Sequence, residues 1–316
     1  MMSLADAEHF VRGPDWTWYI LFYFFLAGLS GGSYAIATLL RLGNRADEPA
    51  ARVGYYIAFP TMLVCPILLT LDLGKPLRFW HMLVNTTPGD EGPIFKYWSP
   101  MSVGAWALVV FSVFVTVSFF EVLVRDRVIR LKIADLAVRL LDGARGKLWN
   151  VVGAVLGLFI AGYTGVLLAV SNQPVWSDTW ALGGLFLASG LSGSAALLGW
   201  LAHYRRDAQD TAAGLARSER LFQVLELALI VVFVVTLIPA GDSALTRAFG
   251  FPWTLLWAVA LIGLVSGLRG PMASRASIGP DGTVAVRTAR VAAAPSVALV
   301  LLGVLALRAA VIFSGQ

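Results

Sequence analysis

One segment of the chain, between two apolar stretches, combines groups that exchange protons with aromatic side chains. It begins with residues 72–81 (DLGKPLRFWH) and ends with residues 97–102 (YWSPMS). Asp72 and His81 are the candidate acid–base groups, because a positioned carboxylate can accept a proton and an imidazole titrates near neutral pH. The alternative is an ordinary interfacial belt, in which the aromatic rings lie at headgroup depth and Asp72 pairs with a nearby basic residue.

Three further ionisable groups, Glu121, Glu226 and Arg308, fall within apolar stretches. Charged side chains are costly inside a membrane, so such groups are functional hypotheses by default. The two glutamates are the candidates for a proton path from the inner side. The alternative is that both lie close enough to the membrane surface to pair with Arg125 or Arg220.

Tyrosines within the apolar stretches offer a polar tip on an apolar body. Tyr23, Tyr34 and Tyr163 are of this kind. Each could hydrogen-bond a ligand, or it could hold neighbouring helices together.

Metal ligands are scarce in this sequence. It has one cysteine, Cys65, and three histidines, His9, His81 and His203. A single cysteine excludes an iron–sulfur cluster held by this chain, a cysteine-based zinc site and an internal disulfide. Haem ligation by two histidines needs a pair on facing helices at one depth, and the spacing offers none. The sequence also lacks a phosphate-binding glycine loop, a metal motif and a nucleophile triad.

The elements that position these groups are membrane spans. Of the 316 residues 58% are hydrophobic and only 14% are charged, whereas soluble domains carry about 25% charged residues. Eight apolar runs are long enough to cross about 30 Å of hydrocarbon, and their length favours helices over barrel strands. We predict an all-α, polytopic integral membrane protein with spans at Trp18–Leu42, Val53–Leu71, Met101–Val124, Leu148–Val170, Trp180–Ala202, Leu221–Ala240, Trp253–Leu268 and Ala292–Phe313.

The basic residues indicate how these spans are oriented. Eighteen of them fall in the connections after the first, third, fifth and seventh spans, against five in the N-terminal tail and the other connections. Basic residues concentrate on the cytoplasmic side, so both termini and the segment after the second span should be periplasmic, in a prokaryotic inner membrane. The N-terminal tail is acidic in balance and does not resemble a cleavable signal.

Two spans also resemble each other. The pattern of residues 24–32 (F-x-x-x-GLSGG) recurs at 186–194 (F-x-x-x-GLSGS). An offset of four spans preserves orientation, so we predict two four-helix bundles related by a parallel repeat. The first half comprises residues 1–147 and the fourth span at 148–170, and the second comprises 171–316. The small residues around Gly31 let helices pack closely, and the same gap could admit a flat ligand.

Together these motifs resemble the NrfD/polysulfide-reductase membrane-subunit family. The resemblance covers all eight spans, and most of its specificity lies in residues 28–104. The residues that carry it are 28–32 (GLSGG), 72–80 (DLGKPLRFW), 99–104 (SPMSVG), 163–165 (YTG), 174–176 (PVW) and 186–190 (F-x-x-SG).

The resemblance implies a haem-free membrane anchor of a periplasm-facing respiratory oxidoreductase. It implies menaquinone or ubiquinone bound near the outer surface, beside a ferredoxin-like iron–sulfur subunit docked on the periplasmic face. That partner would serve a catalytic subunit, such as a molybdopterin enzyme or a multihaem cytochrome, whose substrate the sequence leaves open. Neither a haem nor an iron–sulfur cluster is expected in this chain, and no nucleic-acid partner is expected.

The resemblance also implies site residues in the first half of the chain. Asp72 and Tyr163 match positions where the family places polar contacts to the quinone, whereas Tyr23 stands where a relative has histidine. A tyrosine can donate to a quinone carbonyl but cannot accept a proton near pH 7. His81, which is close to Asp72 in sequence, is the alternative candidate for the titratable group. The full predicted set is Tyr23, Gly31, Asp72, Arg78, Trp80, Ser99 and Tyr163.

Two other functions stay open on the sequence. A secondary transporter or proton channel built from the two repeats would need polar residues or broken helices at mid-membrane in both halves. A purely structural anchor would bind no quinone. The direction of electron flow between the quinone pool and the partner is also open.

Overall fold

A computed structural model of the protein describes residues 14–43, 48–129, 138–139, 141–205, 208, 211–269 and 283–316. The regular elements of these residues are mostly α-helices. They also include two short strands that pair antiparallel, β1 (Val84–Asn85) and β2 (Gly92–Pro93), and two 3-10 helices, Pro76–Met82 and Ile238–Ala240. The α-helices are α1 (Trp18–Gly43), α2 (Glu48–Asp72), α3 (Pro100–Arg125), α4 (Gly143–Ala169), α5 (Leu182–Ala202), α6 (Ala212–Leu237), α7 (Asp242–Phe249), α8 (Trp253–Arg269) and α9 (Thr283–Ser314).

Seven helices of the described residues, α1–α6 and α9, are long and apolar enough to cross a membrane. Helix α8 is too short alone, but α7 and α8 together pass the same test, with a bend of 68° between them. The predicted seventh span is therefore either half of a broken span or not a span, and the described residues contain seven or eight candidate spans. A polytopic, mostly helical membrane protein is confirmed.

Several helices begin earlier than predicted, each on the side that carries charged residues. Helix α2 begins at Glu48 rather than Val53, α4 at Gly143 rather than Leu148, and α6 at Ala212 rather than Leu221. Hydropathy detects only the part of a helix that lies in hydrocarbon. Lysine, arginine and glutamate are good helix formers, so the helices continue beyond it.

The long helices pack in two rings of four. Helix α1 contacts α2 and α4, and α3 contacts the same two helices. Helices α5, α6, α8 and α9 repeat this order, because α5 contacts α6 and α9 while α8 contacts the same two. We call these the first and the second bundle. The two bundles meet where α1 contacts α5 and α9, and where α4 and α2 contact α5.

The two ends of the structure differ in composition. At one end, which we call the loop end, the indole of Trp16 stacks on that of Trp176, and the Gln316 side chain donates to the Trp16 carbonyl. This end also carries residues 73–99. At the other end, the arginine end, the Arg41 and Arg205 side chains pair with acidic side chains at the end of α3.

Helix α1 is the most buried span, with 83% of its most apolar window buried inside the protein. Its close neighbours reach its backbone where both helices have glycine. A Cβ atom on Gly31 would overlap the carbonyl oxygen of Gly157 in α4, and one on Gly190 of α5 would lie 3.1 Å from Gly28 Cα. Small residues are what allow such approaches in lipid, where apolar surfaces gain little from one another.

The two similar sequence segments of α1 and α5 pack against each other. Besides the contact of Gly28 with Gly190, the Ser194 hydroxyl donates to the Leu29 carbonyl oxygen at 3.1 Å. The shared pattern of small residues thus lies at the junction of the two bundles, where close packing explains its composition.

We expect Gly31→Ala to lower the free energy of unfolding by about 1–3 kcal/mol, because the added methyl group would meet the α4 backbone, which cannot rotate away. Thermal unfolding in detergent, followed by tryptophan fluorescence, measures the change. Gly43→Ala is the matched control on the same helix, since nothing lies within 4 Å of its Cβ position. Equal stability of the two variants would contradict this packing.

Candidate functional site

Each helix of the first bundle brings a predicted polar group toward the loop end. Tyr23 lies in the first two turns of α1, Asp72 is the last residue of α2, Ser99 precedes α3, and Tyr163 lies in the last two turns of α4. The side chain of Ser99 caps α3 by accepting from the Ser102 amide at 3.4 Å. These four groups are far apart in the chain. They lie at the same end because successive helices of the first bundle run in opposite directions.

Tyr23 has a buried side chain and an unused hydroxyl group. The residue belongs to the core and is only 4% exposed. Helix α2 contacts the backbone of Tyr23, because the Cys65 thiol lies 3.9 Å from the Tyr23 carbonyl oxygen. The Tyr23 hydroxyl has no hydrogen-bond partner among the described residues, and Tyr163 lies within electrostatic range of it. A donor without a partner on a buried side chain is suited to a ligand carbonyl.

Tyr163 fixes the start of α3 against α4. Its hydroxyl donates to the Pro100 carbonyl oxygen, and a Cβ atom on Gly104 would overlap that hydroxyl. The glycine in the SPMSVG segment therefore makes room for the tyrosine ring. The polar tip of Tyr163 is used within the protein, so a role toward a ligand would require this bond to be shared or exchanged.

Asp72 lies at the edge of the same bundle. It is half-buried, and one carboxylate oxygen accepts from the Thr17 hydroxyl at 3.3 Å. Thr17 directly precedes α1, so the contact ties the end of α2 to the start of α1. Neither Lys75 nor Arg78 forms a salt bridge with Asp72 among the described residues, so the predicted pairing within the belt is not seen.

Arg78, Trp80 and His81 lie on the exposed 3-10 helix after α2 rather than within the bundle. The His81 ring stacks on that of Trp80 with centroids 4.0 Å apart, and its Nδ1 lies 3.4 Å from the Thr86 hydroxyl. Neither contact involves Asp72. Residues 73–99 expose several large apolar side chains at the loop end, namely Leu77, Phe79, Trp80, Met82, Val84, Phe95, Tyr97 and Trp98.

At Gly31, the space beside the glycine is filled by the backbone of Gly157. Gly31 also lies near the middle of α1, about 12 Å along the helix from Tyr23. Its observed contact is therefore helix packing.

Glu121 belongs to an ion-pair network at the arginine end. Its fully buried carboxylate binds both Arg41, at 3.0 Å, and Arg125, which confirms the alternative of pairing with Arg125. Arg41 in turn binds Glu48 at 2.9 Å. A cavity of about 360 Å³ opens beside this network and is lined by Arg41, Leu42, Glu48, Arg52, Glu121, Arg125, Leu141, Gly143, Gly146, Lys147 and Asn150.

Asp126, at the C-terminal end of α3, connects three parts of the arginine end. It binds Arg52 of α2 at 2.6 Å and Arg205, which follows α5, at 2.8 Å, and it accepts from the Tyr56 hydroxyl. Burial alone would raise the pKa of this carboxyl group, but the hydrogen bonds from Arg205 and Arg52 outweigh it and hold the pKa below its usual range.

Glu226 lies further along its helix than predicted. Because α6 begins at Ala212, Glu226 is near the middle of the helix, about 20 Å from its first residue. Among the described residues it does not pair with Arg220 but accepts from the Ser192 hydroxyl at 2.5 Å. Arg308 lies nearer the loop end and donates to the carbonyl oxygens of Phe24 and Phe186.

Arg308 stands out in the sequence as a charge within a span, but no pattern there assigns it a role. Its partners are backbone carbonyls, which carry no sequence signal. Cys65 and Thr17 were likewise missed as neighbours of the site, since their contacts depend on how α1 and α2 pack. Across the described residues, no three His, Cys, Asp or Glu side chains come together to hold a metal ion.

A sequence model of the family described as "Polysulphide reductase, NrfD" matches residues 8–316. The protein is 27% identical to Protein NrfD of Escherichia coli, over all of this chain and 99% of that protein. It is 29% identical to a chain of polysulfide reductase from Wolinella succinogenes, over 56% of this protein and 55% of the relative. A shorter match, 32% identical over 24% of this protein and 18% of the relative, is with a subunit of selenate reductase from Mesobacillus selenatarsenatis.

We expect Asp126→Asn to lower the free energy of unfolding by roughly 1–3 kcal/mol at pH 7, because two arginines lose their shared charged acceptor. A carboxylate with a lowered pKa stabilises the fold above its unfolded-state pKa of about 4, and this contribution is lost as the pH falls through the folded-state pKa. Wild type and variant should therefore converge below about pH 4. Chemical unfolding at a series of pH values measures this.

The matched control is Asp142→Asn, which removes an exposed partner of Arg125. Exposed ion pairs contribute about 0–1 kcal/mol, so this variant should resemble wild type at every pH. A constant difference between Asp126→Asn and wild type from pH 7 down to pH 3 would contradict the assignment.

Proposed function

The chain belongs to the NrfD and polysulphide reductase family of reductase membrane subunits, and from that premise we propose that it exchanges electrons between the membrane quinone pool and a partner subunit. The proposed quinone, menaquinone or ubiquinone, binds at the loop end of the first bundle. The observation that carries this proposal is the convergence of Tyr23, Asp72 and Tyr163 from three helices at that end. Bound quinone would supply the two-electron chemistry that this protein's own side chains lack.

The residues at the loop end fit a quinone head group in three respects. Tyr23 offers a hydroxyl with no partner among the described residues, on a buried side chain, which suits a carbonyl oxygen. Asp72 is half-buried at the membrane edge and can pass protons to the outer side. The surrounding core side chains, including Phe24 and Met62, are apolar and suit a quinone ring.

In this mechanism each side chain has a separate role. The Tyr23 hydroxyl orients the head group by donating a hydrogen bond. Asp72 accepts or supplies the proton that accompanies electron transfer, with its carboxylate oxygen held by Thr17. Tyr163 holds the first turn of α3 in place and keeps that side of the site closed. His81, exposed on the loop, exchanges the same protons with water.

The proposed partner is an iron–sulfur subunit that docks on the segment of residues 73–99. Eight large apolar side chains are exposed there beside the basic residues Lys75, Arg78 and Lys96. An exposed apolar patch with charged residues around it is typical of an interaction site. Two of the relatives are named as parts of a polysulfide reductase and of a selenate reductase, which supports a further catalytic subunit in the complex.

We further propose that the loop end faces the periplasm of a prokaryotic inner membrane. The concentration of arginine at the other end supports this orientation through the positive-inside rule. The similar order of helix contacts in the two bundles supports a parallel repeat, with the quinone site in the first half only.

We expect Asp72→Asn to reduce quinol-dependent electron transfer in the purified complex by about a hundredfold, because the amide cannot accept a proton. The complex should still assemble, since asparagine can accept the Thr17 hydrogen bond. The measurement is quinol oxidation with an artificial acceptor, together with mass spectrometry of the subunits that copurify with this protein.

Asp242→Asn, which replaces an exposed acid outside the proposed docking segment, is the control and should leave turnover unchanged. Unchanged turnover in Asp72→Asn would remove Asp72 from the mechanism. Complex without bound quinone and insensitive to quinone-site inhibitors would favour a structural anchor, and solute flux by the isolated protein in liposomes would favour a transporter.

A further inference from the structure

Buried polar side chains follow one face of α6 in the core of the second bundle. Glu219, Gln223 and Glu226 are four and three residues apart, which places them on the same side of a helix. Their exposed fractions are 8%, 0% and 4%. Such a row is costly in a membrane interior and is therefore a functional hypothesis.

The hydrogen bonds of this row are incomplete. The Gln223 amide nitrogen donates to Glu219 Oε1 at 3.3 Å, but Gln223 Oε1 is buried without a partner among the described residues. The Ser192 hydroxyl of α5 donates to Glu226 Oε2 at 2.5 Å. An unsatisfied buried acceptor costs free energy unless a water molecule or another donor reaches it.

Glu226 differs in its partners from Glu121, the buried glutamate of α3. Glu121 is bound by two guanidinium groups, whereas no lysine or arginine of the described residues lies within 4 Å of the Glu226 carboxylate. The charged group that acts on Glu226 is Arg308 on α9, and Glu219 lies two turns earlier on its own helix. A carboxyl group with a hydroxyl partner and no direct counter-ion can hold a proton and give it up again.

The row leads from the arginine end toward the middle of α6. Helix α6 begins at the arginine end, where the preceding Arg205 binds Asp126. Glu219 is about 10 Å along the helix from Ala212, and Glu226 is a further 10 Å or so inward.

Arg308 stands between the row and the loop end. Its side chain is fully buried, and its two terminal nitrogens donate to Phe24 O at 2.7 Å, Phe186 O at 2.8 Å and Ser189 Oγ at 3.1 Å. The guanidinium keeps its charge, and a fixed positive charge in a narrow path repels protons.

We propose that Glu219, Gln223 and Glu226 form a proton half-channel that opens at the arginine end, ends at Glu226 and is closed toward the loop end by Arg308. A proton from the aqueous phase binds a carboxylate oxygen of Glu219. It then passes by way of a water molecule hydrogen-bonded to Gln223 Oε1 to a carboxylate oxygen of Glu226, which leaves Glu219 ionised again. No electron transfer is involved, so the half-channel does not depend on the proposed quinone chemistry.

The test is hydrogen–deuterium exchange of the purified full-length protein in lipid, followed by the infrared band of protonated carboxylic acids. Glu226→Gln should remove one such band and keep the fold, because glutamine can still accept from Ser192. Gln223→Met, of similar length, should keep the band but slow its exchange by about tenfold, since the relay loses its polar group. Glu91→Gln, in the exposed loop, is the control and should change neither.

A carboxylic-acid spectrum that is identical in wild type and Glu226→Gln would overturn the proposal. Exchange in Gln223→Met that is as fast as in wild type would also overturn it, because the path would then run elsewhere. Circular dichroism of each variant establishes that the helices are retained.

A second measurement tests the closed end. Liposomes holding the wild-type protein, a trapped pH dye and a potassium gradient with valinomycin should leak protons no faster than protein-free liposomes. Sustained proton conduction by the wild-type protein would contradict closure by Arg308. Both measurements omit quinone and partner subunits, so their outcome is separate from that of the Asp72→Asn assay.

Discussion

The close approach of three helices to the backbone of α1 is the constraint on which the rest of the structure depends. Helix α4 reaches it through Gly157, α5 through Gly190, and α2 through Gly54, whose Cβ position is 2.8 Å from the Ser33 carbonyl oxygen. In lipid there is no solvent to drive apolar helices together, so packing of this kind must hold them. A side chain at any of these glycines would push a neighbouring helix away from the central one.

Because α1 lies between the bundles, residues near its outer end serve both. Tyr23 faces the first bundle, where the proposed quinone site is formed, while the carbonyl oxygen of the next residue, Phe24, accepts from Arg308 of the second. The end of the proposed half-channel is thus tied to the backbone beside the proposed site. A change of charge at either place would change the electrostatic potential at the other, because charges interact strongly over short distances in a protein interior.

The sequence was sufficient for the helical membrane fold and the family, because apolar runs and the 72–104 motifs are local signals. It was insufficient to predict contacts between side chains of different helices or between a side chain and a backbone atom. Tyr163 was predicted as a site residue from its motif, but its bond to the Pro100 carbonyl has no sequence signature. The position of Glu226 within α6 was misjudged because charged residues extend the helix at its start, and the 68° bend between α7 and α8 left the seventh span ambiguous.

The central claim is that a quinone binds at the loop end of the first bundle, and photolabelling tests it most directly. The purified protein in lipid is irradiated with an azido-quinone, and the labelled peptides are identified by mass spectrometry. We expect labels on the peptides that contain Tyr23, Asp72 or Tyr163, and we expect excess menaquinone or ubiquinone to abolish them. Labels confined to residues 171–316, or labels that excess quinone does not displace, would contradict it.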